Sequence, residues 1–373
     1  MGNKSSNRTV KTPALRIHSI TARAVAVPMR RPLQTSTGAV TVAPLLLVDL
    51  RTNAGIVGRS YLFAISKLHL KPIAALVDAM GGLVKGDALA PFEIERKLRA
   101  RHALLGVHNV VLFAMAAIDM CAWDALGQAL GQPVARLLGG APRPVPAYNS
   151  NGLGIQETRK LLAEAEELVA EGFSAVKLRL GRPTAAADIE ALRAVRKAIG
   201  LKVTLMVDFN QALTVAEAVR RGRMIDEEGG VHWIEEPVRA DDYAGCAKVA
   251  REVATPIQIG ENFMGPEQMA QALAAGCCDY VMPDAQRIGG VTGWMRAAAL
   301  AQGAGLEMSS HLFPEASVQL LALTPTCHWL EYVDWANPVL EDPVRIKGGM
   351  AVGPAGPGLG MKWNEKAVRK YAA

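Results

Sequence analysis

Four short apolar runs of the chain each close on an acid or a base: Val176-Lys177-Leu178-Arg179, Val207-Asp208-Phe209-Asn210, Trp233-Ile234-Glu235-Glu236-Pro237 and Ile259-Gly260-Glu261-Asn262. The steps from Lys177 to Asp208, then to Glu235, then to Glu261 are 31, 27 and 26 residues, and each step holds a helical pattern. A strand–helix repeat with a charged group at every strand's C-terminal end points to a β/α barrel, whose active site is built on that rim. Residues i and i+2 of a strand face the same way, so Lys177 shares a face with Arg179 and Asp208 with Asn210. A lone acid at a strand end is as often a helix cap; three in succession weaken that reading. Three carboxylates converging from adjacent strands repel unless a cation sits among them. Ligation by carboxylates alone, without His or Cys, selects a hard divalent ion, and the choice here is Mg²⁺ held by Asp208, Glu235 and Glu261. Asn210 and Asn262 follow as groups that orient the ligands. Glu236, before Pro237, is read onto the opposite strand face in a structural role.

Met282-Pro283-Asp284 and Ser309-Ser310-His311 end two further strand-like runs, 27 residues apart. Adjacent strands bring Asp284 within reach of His311. A carboxylate that orients one imidazole nitrogen makes the other an effective general base, so this pair is the candidate catalytic dyad. Glu331 ends the eighth run and completes the ring, while His328 is read as a packing residue or one on the outside of the barrel. Gly289-Gly290-Val291-Thr292-Gly293 resembles a phosphate cradle only weakly and is better read as a helix-entry turn. Trp123-Asp124 is read as packing.

The elements that must position these groups follow from the pattern. Eight strand-like runs are spaced along the second half: 145–150, 175–180, 204–209, 232–235, 257–261, 280–284, 307–311 and 329–332. Eight is the closing number of the barrel. Residues 14–60 read as extended, with a hairpin around 51–55, and 67–138 as helical, including an almost wholly apolar helix over 114–127. The fold class is therefore α/β, a modified (β/α)8 barrel with an N-terminal α+β capping domain. The divisions are a disordered tail over 1–13, the capping domain over 14–143, the barrel over 144–335 and a C-terminal segment over 336–373 packing back on the cap.

The 373 residues carry a net charge of +6, with basic and acidic residues interspersed and no block of five like charges, which argues for a solvated surface and against nucleic-acid binding. No uninterrupted apolar run reaches the roughly 20 residues of a membrane span, and the polar N-terminus lacks an apolar signal core. The five cysteines have no metal-ligand spacing and read as reduced thiols in a cytoplasmic protein.

Together, Lys-x-Arg at 177–179, Val-Asp-Phe-Asn, Trp-Ile-Glu-Glu-Pro, Gly-Glu-Asn, Pro-Asp-Ala-x-Arg-Ile-Gly-Gly at 283–290 and Ser-Ser-His-Leu-Phe at 309–313 resemble the mandelate racemase group of the enolase superfamily. So do the stretches 43–50, 60–63, 118–127 and 324–331. The resemblance implies one Mg²⁺ ion on Asp208, Glu235 and Glu261, and removal of the proton α to a carboxylate to give an enolate. It implies Lys177 as the clamp on the substrate carboxylate, Asp284 and His311 as the base on one face, and Glu331 as an acid touching the enolate oxygen. Ser150 and Asn210 would contact the substrate, and Leu33, Thr37, Val40 and Phe63 would belong to the capping loops that close over it. A small hydroxy-carboxylate is the implied partner, with a homo-oligomer, commonly an octamer in this group, as the implied assembly.

One position departs from the group's pattern. Where mandelate racemase carries a second lysine, the base for the opposite face, this chain has Arg179. An ordinary arginine, pKa about 12.5–13.8, is neutral in about one part in 10⁶ at pH 7, equivalent to roughly 8 kcal/mol. A racemase needs a base on each face, whereas a dehydratase needs one. Overall similarity thus implies a racemase or epimerase, and Arg179 an acid-sugar dehydratase working through the His311–Asp284 pair alone. Gln34, Thr37 and Asn151 add an expectation of a polar pocket suited to hydroxylated acids. A non-catalytic relic that keeps the metal and ligand pocket is the rival from another class.

Overall fold

The computed structural model describes residues 15–36 and 38–373; the expected N-terminal tail over 1–13 and Thr37 lie outside the described residues. Three long strands, β1 (Ile17–Thr35), β2 (Gly38–Thr52) and β3 (Val57–Phe63), form an antiparallel sheet in the order β1-β2-β3. The β2–β3 turn is the hairpin expected over 51–55, closed by Thr52, whose hydroxyl accepts from Ile56 N–H at 3.1 Å. Helices α1 (Leu70–Val84) and α3 (Asn109–Ala129) cover one face of this sheet, α2 (Pro91–Arg101) packs on those two helices, and the short α4 (Val134–Leu137) leads toward the barrel.

Helix α3 is long and apolar enough, by length and composition, to cross a membrane, a property that counting uninterrupted apolar residues does not reveal. It is buried inside the protein and carries two interior acids, Asp119 and Asp124. Asp124 accepts from the backbone N–H of Arg59 at 2.7 Å and of Leu359 at 2.6 Å, joining the sheet, the helix and the C-terminal segment. Asp119 accepts from the N–H of Thr292 at 2.9 Å and from its hydroxyl at 2.5 Å, joining the cap to the barrel.

The barrel strands are β4 (Val145–Asn149), β5 (Ala175–Arg179), β6 (Thr204–Asp208), β7 (Val231–Glu235), β8 (Ile257–Ile259), β9 (Tyr280–Val281), β10 (Glu307–Met308) and β11 (Leu330–Tyr332). They pair in parallel in sequence order, and β11 returns to β4. The β10–β11 seam is held by the Met308–Cys327 bridge and by Ser310 N–H donating to Trp329 C=O at 2.9 Å. Between the strands run α5 (Thr158–Ala170), α6 (Ala185–Ile199), α7 (Val215–Glu228), α8 (Tyr243–Glu252), α9 (Pro266–Ala275), α10 (Gly290–Ala304) and α11 (Pro314–Leu323). Their starts follow local rules: Thr184, Thr214 and Asp242 accept from backbone N–H groups of the first turn, and Pro opens α9 and α11.

The lower part of the barrel interior is aromatic. Tyr148 and Trp233 meet edge to face at 5.4 Å, and Tyr280, Trp329, His232 and His328 pack beneath them. His328 thus faces into the barrel, its Nε2 3.2 Å from that of His232, and not outward as one expectation had it. The reason is that it precedes β11, so strand parity counted back from Glu331 does not apply. This packed floor confines polar chemistry to the C-terminal rim.

The C-terminal segment divides its contacts. A hairpin of β12 (Arg345–Lys347) and β13 (Met350–Val352) adds to the barrel sheet through antiparallel pairing of β13 with β4. Beyond it the chain returns to the cap: Trp363 donates to Asp49 at 2.7 Å, and Tyr371 C=O, just after α12 (Glu365–Lys370), accepts from Ala26 N–H at 2.8 Å.

Burial, opposed by the Thr292 hydrogen bonds, pushes Asp119 from 3.8 up to about 7. The unfolded chain therefore loses this proton first, and stability falls as pH rises from about 4 to about 7, by up to about 4 kcal/mol. Asn in this place mimics the protonated acid. Urea unfolding of wild type and Asp119→Asn at pH 5 and pH 8 is expected to show wild type losing stability relative to the variant; identical pH slopes would contradict the assignment.

Candidate active site

The rim is shaped by residues in the left-handed region immediately after the strands. Asn210 (φ 44°) follows β6, Glu236 (φ 38°) follows β7, and Leu312 and Phe313 (φ 48° and 49°) follow His311. After β8, Gly260 at φ 140° carries the chain over the neighbouring segment, where a Cβ would sit 2.8 Å from Met282 N. These departures end the strict alternation of a strand and let consecutive residues both reach the mouth.

At the centre lies the Lys177 ammonium, fully buried, 2.5 Å from Glu235, 2.8 Å from Glu331 and 3.2 Å from Asp208. The Tyr148 ring lies beneath it, with Nζ 5.7 Å from the ring centroid. Burial works against the charge on Lys177, but Glu235, Glu331 and Asp208 outweigh it and hold the amine well above its usual range. Burial, countered by Lys177 and reinforced by Asp208, Glu331 and Glu261, pushes Glu235 up to about 8. Burial would raise Glu331 as well, yet Lys177 and His311 hold it well below the carboxylate range. Glu331 also accepts from Leu312 N–H at 3.0 Å. Lys177, His311 and this backbone N–H thus favour the ionised form of Glu331.

The Asp284–His311 pair forms as expected, with His311 Nδ1 2.7 Å from Asp284 Oδ2. The other oxygen of Asp284 accepts from the backbone N–H groups of Gln286 at 2.7 Å and Arg287 at 3.0 Å. His311 Nε2 turns to Glu261 at 3.4 Å and Glu331 at 3.7 Å. Burial opposes its protonation, but the charges of Glu261, Glu331 and Asp284 raise it to about 9.

Of the three expected metal ligands, Asp208 and Glu235 share the Lys177 ammonium, and Glu261 stands beside His311. Asn210 donates to Asp208 from its backbone at 2.7 Å and its side chain at 3.0 Å. Among the described residues no three Asp, Glu, His or Cys side chains are gathered around one metal-binding point. The donor chemistry nevertheless suits a hard cation: carboxylate oxygens converge on one rim, and the buried Asn210 Oδ1 and Glu236 Oε2 have no hydrogen-bond partner. Glu236 does not lie on the opposite face. The left-handed turn brings it to Asn262, whose amide donates to Glu236 at 2.7 Å and to Glu261 at 3.2 Å.

A cavity of about 150 Å³ opens over these groups, walled on the barrel side by Lys177, Arg179, Asp208, Asn210, Glu261, Arg287, His311 and Glu331. Its other side is apolar: Leu33, Phe63, Ile65, Leu312 and Trp335. Phe63 and Trp335 pack ring against ring at 5.1 Å.

The fold and this arrangement have counterparts among known proteins. Residues 17–139 match the family described as mandelate racemase / muconate lactonizing enzyme, N-terminal domain, and residues 160–367 match enolase C-terminal domain-like. The chain belongs to the mandelate racemase / muconate lactonizing enzyme family. It is thus an enzyme of the enolase superfamily, with that superfamily's capping domain and barrel. An enolase from Bradyrhizobium, crystallised with magnesium and mandelic acid, is 41% identical with a TM-score of 0.93, over 97% of this chain and 99% of that one. An enolase from alpha proteobacterium bal199 with bound magnesium is 43% identical with a TM-score of 0.94, over 96% and 100% of the two chains. L-talarate/galactarate dehydratase of Salmonella typhimurium is 30% identical over 88% of this chain and 83% of its own length.

Not every residue expected to contact substrate walls this cavity. Val40 pairs with Leu33 across β1 and β2 but does not wall the cavity. Ser150 is buried and accepts from Arg179 at 3.3 Å. Gln34 and Asn151, the basis for a polar pocket, also stand outside the cavity wall. The Gln34 backbone meets Ile155, and Asn151 donates to Asn149 and accepts from Asp334 N–H. Ile65, Arg287, Leu312 and Trp335 were missed. Arg287 had a signal in the Pro-Asp-Ala-x-Arg motif; Trp335 had none.

Arg179 is tied into the loop after β4. Its guanidinium donates to the carbonyls of Gly152 at 2.8 Å and Ser150 at 3.2 Å, and its backbone N–H to Leu153 C=O at 2.9 Å. Arg179→Met keeps much of the volume but leaves two buried carbonyls without their donor. A loss of about 2–4 kcal/mol is expected in urea unfolding; a loss below about 0.5 kcal/mol would show that the guanidinium does not hold the loop.

Proposed function

We propose that this enzyme removes the α-proton of a 2-hydroxycarboxylate bearing an apolar or aryl substituent, through His311 and from one face, with Mg²⁺ as cofactor. The observation that carries the reading is the contrast between the two candidate bases. His311 is aimed into the cavity wall by Asp284, whereas Arg179 spends its guanidinium on backbone carbonyls and the Ser150 hydroxyl. The apolar wall gives the substituent its place, and the mandelic acid in the Bradyrhizobium relative is of this chemical class.

In this reading Asp208, Glu235 and Glu261 hold Mg²⁺, with Asn210 and Asn262 orienting them. When bound, the ion supplies Lewis-acid polarisation of the substrate carboxylate and offsets part of the acids' charge. Lys177 clamps the same carboxylate while remaining on Glu331. With Mg²⁺ on Glu261, one of the charges that raise His311 is offset, which favours the neutral imidazole; Asp284 fixes its tautomer, so Nε2 takes the α-proton and can return it. Phe63, Ile65, Leu33 and Trp335 exclude water from the reacting face. Where the neighbouring carbon carries a hydroxyl, loss of that group follows from the same single base. This second reading, an acid-sugar dehydratase, is favoured by the engagement of Arg179 and disfavoured by the apolar wall.

Incubation of the Mg²⁺-loaded enzyme in D₂O with each enantiomer of mandelate tests the reading. Label is expected at the α-carbon of one enantiomer without inversion; equal labelling of both would sink the one-base mechanism. His311→Asn should abolish exchange, and Arg179→Lys should begin to label the second enantiomer. No exchange with any hydroxy acid would favour the relic reading, and turnover confined to sugar acids the dehydratase. Removal of divalent ions by a chelator is expected to stop exchange, with Mg²⁺ restoring it. A raised melting temperature on Mg²⁺ addition, lost in Glu235→Gln, provides an activity-independent check on the metal site.

A further inference from the structure

The cap and the catalytic base meet at one buried side chain, Gln286. Phe63, the last residue of edge strand β3, faces Leu45, and because the next residue, Ala64, donates to Pro44 C=O, the N–H and C=O of Phe63 point away from β2. Gln286 meets both: its Oε1 accepts from Phe63 N–H at 2.9 Å and its Nε2 donates to Phe63 C=O at 3.3 Å. This pairing fixes the orientation of the amide, since only the oxygen can receive the N–H. The backbone N–H of the same residue donates to Asp284 at 2.7 Å, on the oxygen that does not hold His311. Phe63 in turn walls the cavity and packs on Trp335. An unbroken path therefore runs from the cavity's apolar wall through Phe63, Gln286 and Asp284 to His311, with Gln286 itself 2% exposed.

We propose that Gln286 is a positioning residue that locks the capping strand to the Asp284–His311 base, so that the wall holding the substrate's substituent and the imidazole taking its proton are set by one element. The inference rests on the proton-abstraction reading above. Replacing the amide by an apolar side chain of similar length leaves the backbone support of Asp284 but frees Phe63. The substrate's α-carbon and His311 then lose their shared reference, and small displacements of reacting groups lower the rate of the chemical step.

The experiment compares Gln286→Met, Gln286→Glu and Trp123→Phe in the full-length Mg²⁺-loaded enzyme, with α-deuteration followed below the lowest melting temperature of the set. Trp123 donates to Thr292 at 3.0 Å in another buried cap–barrel hydrogen bond, so its Phe variant controls for loosened docking alone. Gln286→Met is expected to lower kcat at least tenfold as well as raise KM. Gln286→Glu, which keeps the acceptor for Phe63 N–H, should recover part of kcat, and Trp123→Phe should lower the melting temperature with kcat unchanged. A Gln286→Met enzyme with wild-type kcat and only a raised KM would overturn the proposal, as would an equal kcat loss in Trp123→Phe. If wild type itself shows no exchange, the proton-abstraction reading fails, and that outcome is distinct from failure of the Gln286 assignment.

Discussion

The site depends on one buried ammonium. Lys177 on β5 is fully enclosed, and Asp208 on β6, Glu235 on β7 and Glu331 on β11 all touch it. Desolvating a charge of this kind is tolerable only with close, oppositely charged partners, and removing one partner leaves the others exposed to mutual repulsion. Four strands are thereby fixed at one depth. The Tyr148–Trp233 floor sets that depth from below, with the Trp233 indole N–H donating to Glu235 at 3.2 Å and the Tyr148 ring under Lys177. His311 feels the same cluster through Glu331 and Glu261, so the imidazole and the acids form one electrostatic unit.

The cap completes the site by chemistry of the opposite kind. It places Leu33, Phe63 and Ile65 over the charged rim, and the barrel adds Leu312 and Trp335. Arg31 helps hold β1 down through Glu167 at 3.0 Å and Glu171 at 2.9 Å on and just after α5, the helix that follows the loop strapped by Arg179. The cavity thus has charged groups on its barrel side and an apolar ceiling.

The barrel and its acids were legible because a strand–helix repeat forces strand ends to recur every 26 to 31 residues, and because alternation within a strand fixes which neighbours share a face. Asp284 and His311 were found by the same rule. The rule failed where the backbone leaves the strand. Glu236 reaches Asn262, beside Glu261, because φ 38° breaks the alternation on which its assignment rested. His328 faces inward because it precedes its strand. Part of the apolar wall was hidden for another reason: Ile65, Leu312 and Trp335 are far apart in sequence, and their convergence with Leu33 and Phe63 follows from how the cap docks. Arg179 was recognised as unusual by type, but its carbonyl partners belong to a loop with no pattern of its own.

If His311 is the base and Arg179 a structural donor, a crystal structure with Mg²⁺ and a slow or unreactive 2-hydroxycarboxylate shows it most directly. Expected is an ion on Asp208, Glu235 and Glu261, the α-carbon within proton-transfer distance of His311 Nε2, and the Arg179 guanidinium still on the carbonyls of Ser150 and Gly152. A guanidinium swung off those carbonyls to face the opposite side of the α-carbon would contradict this reading.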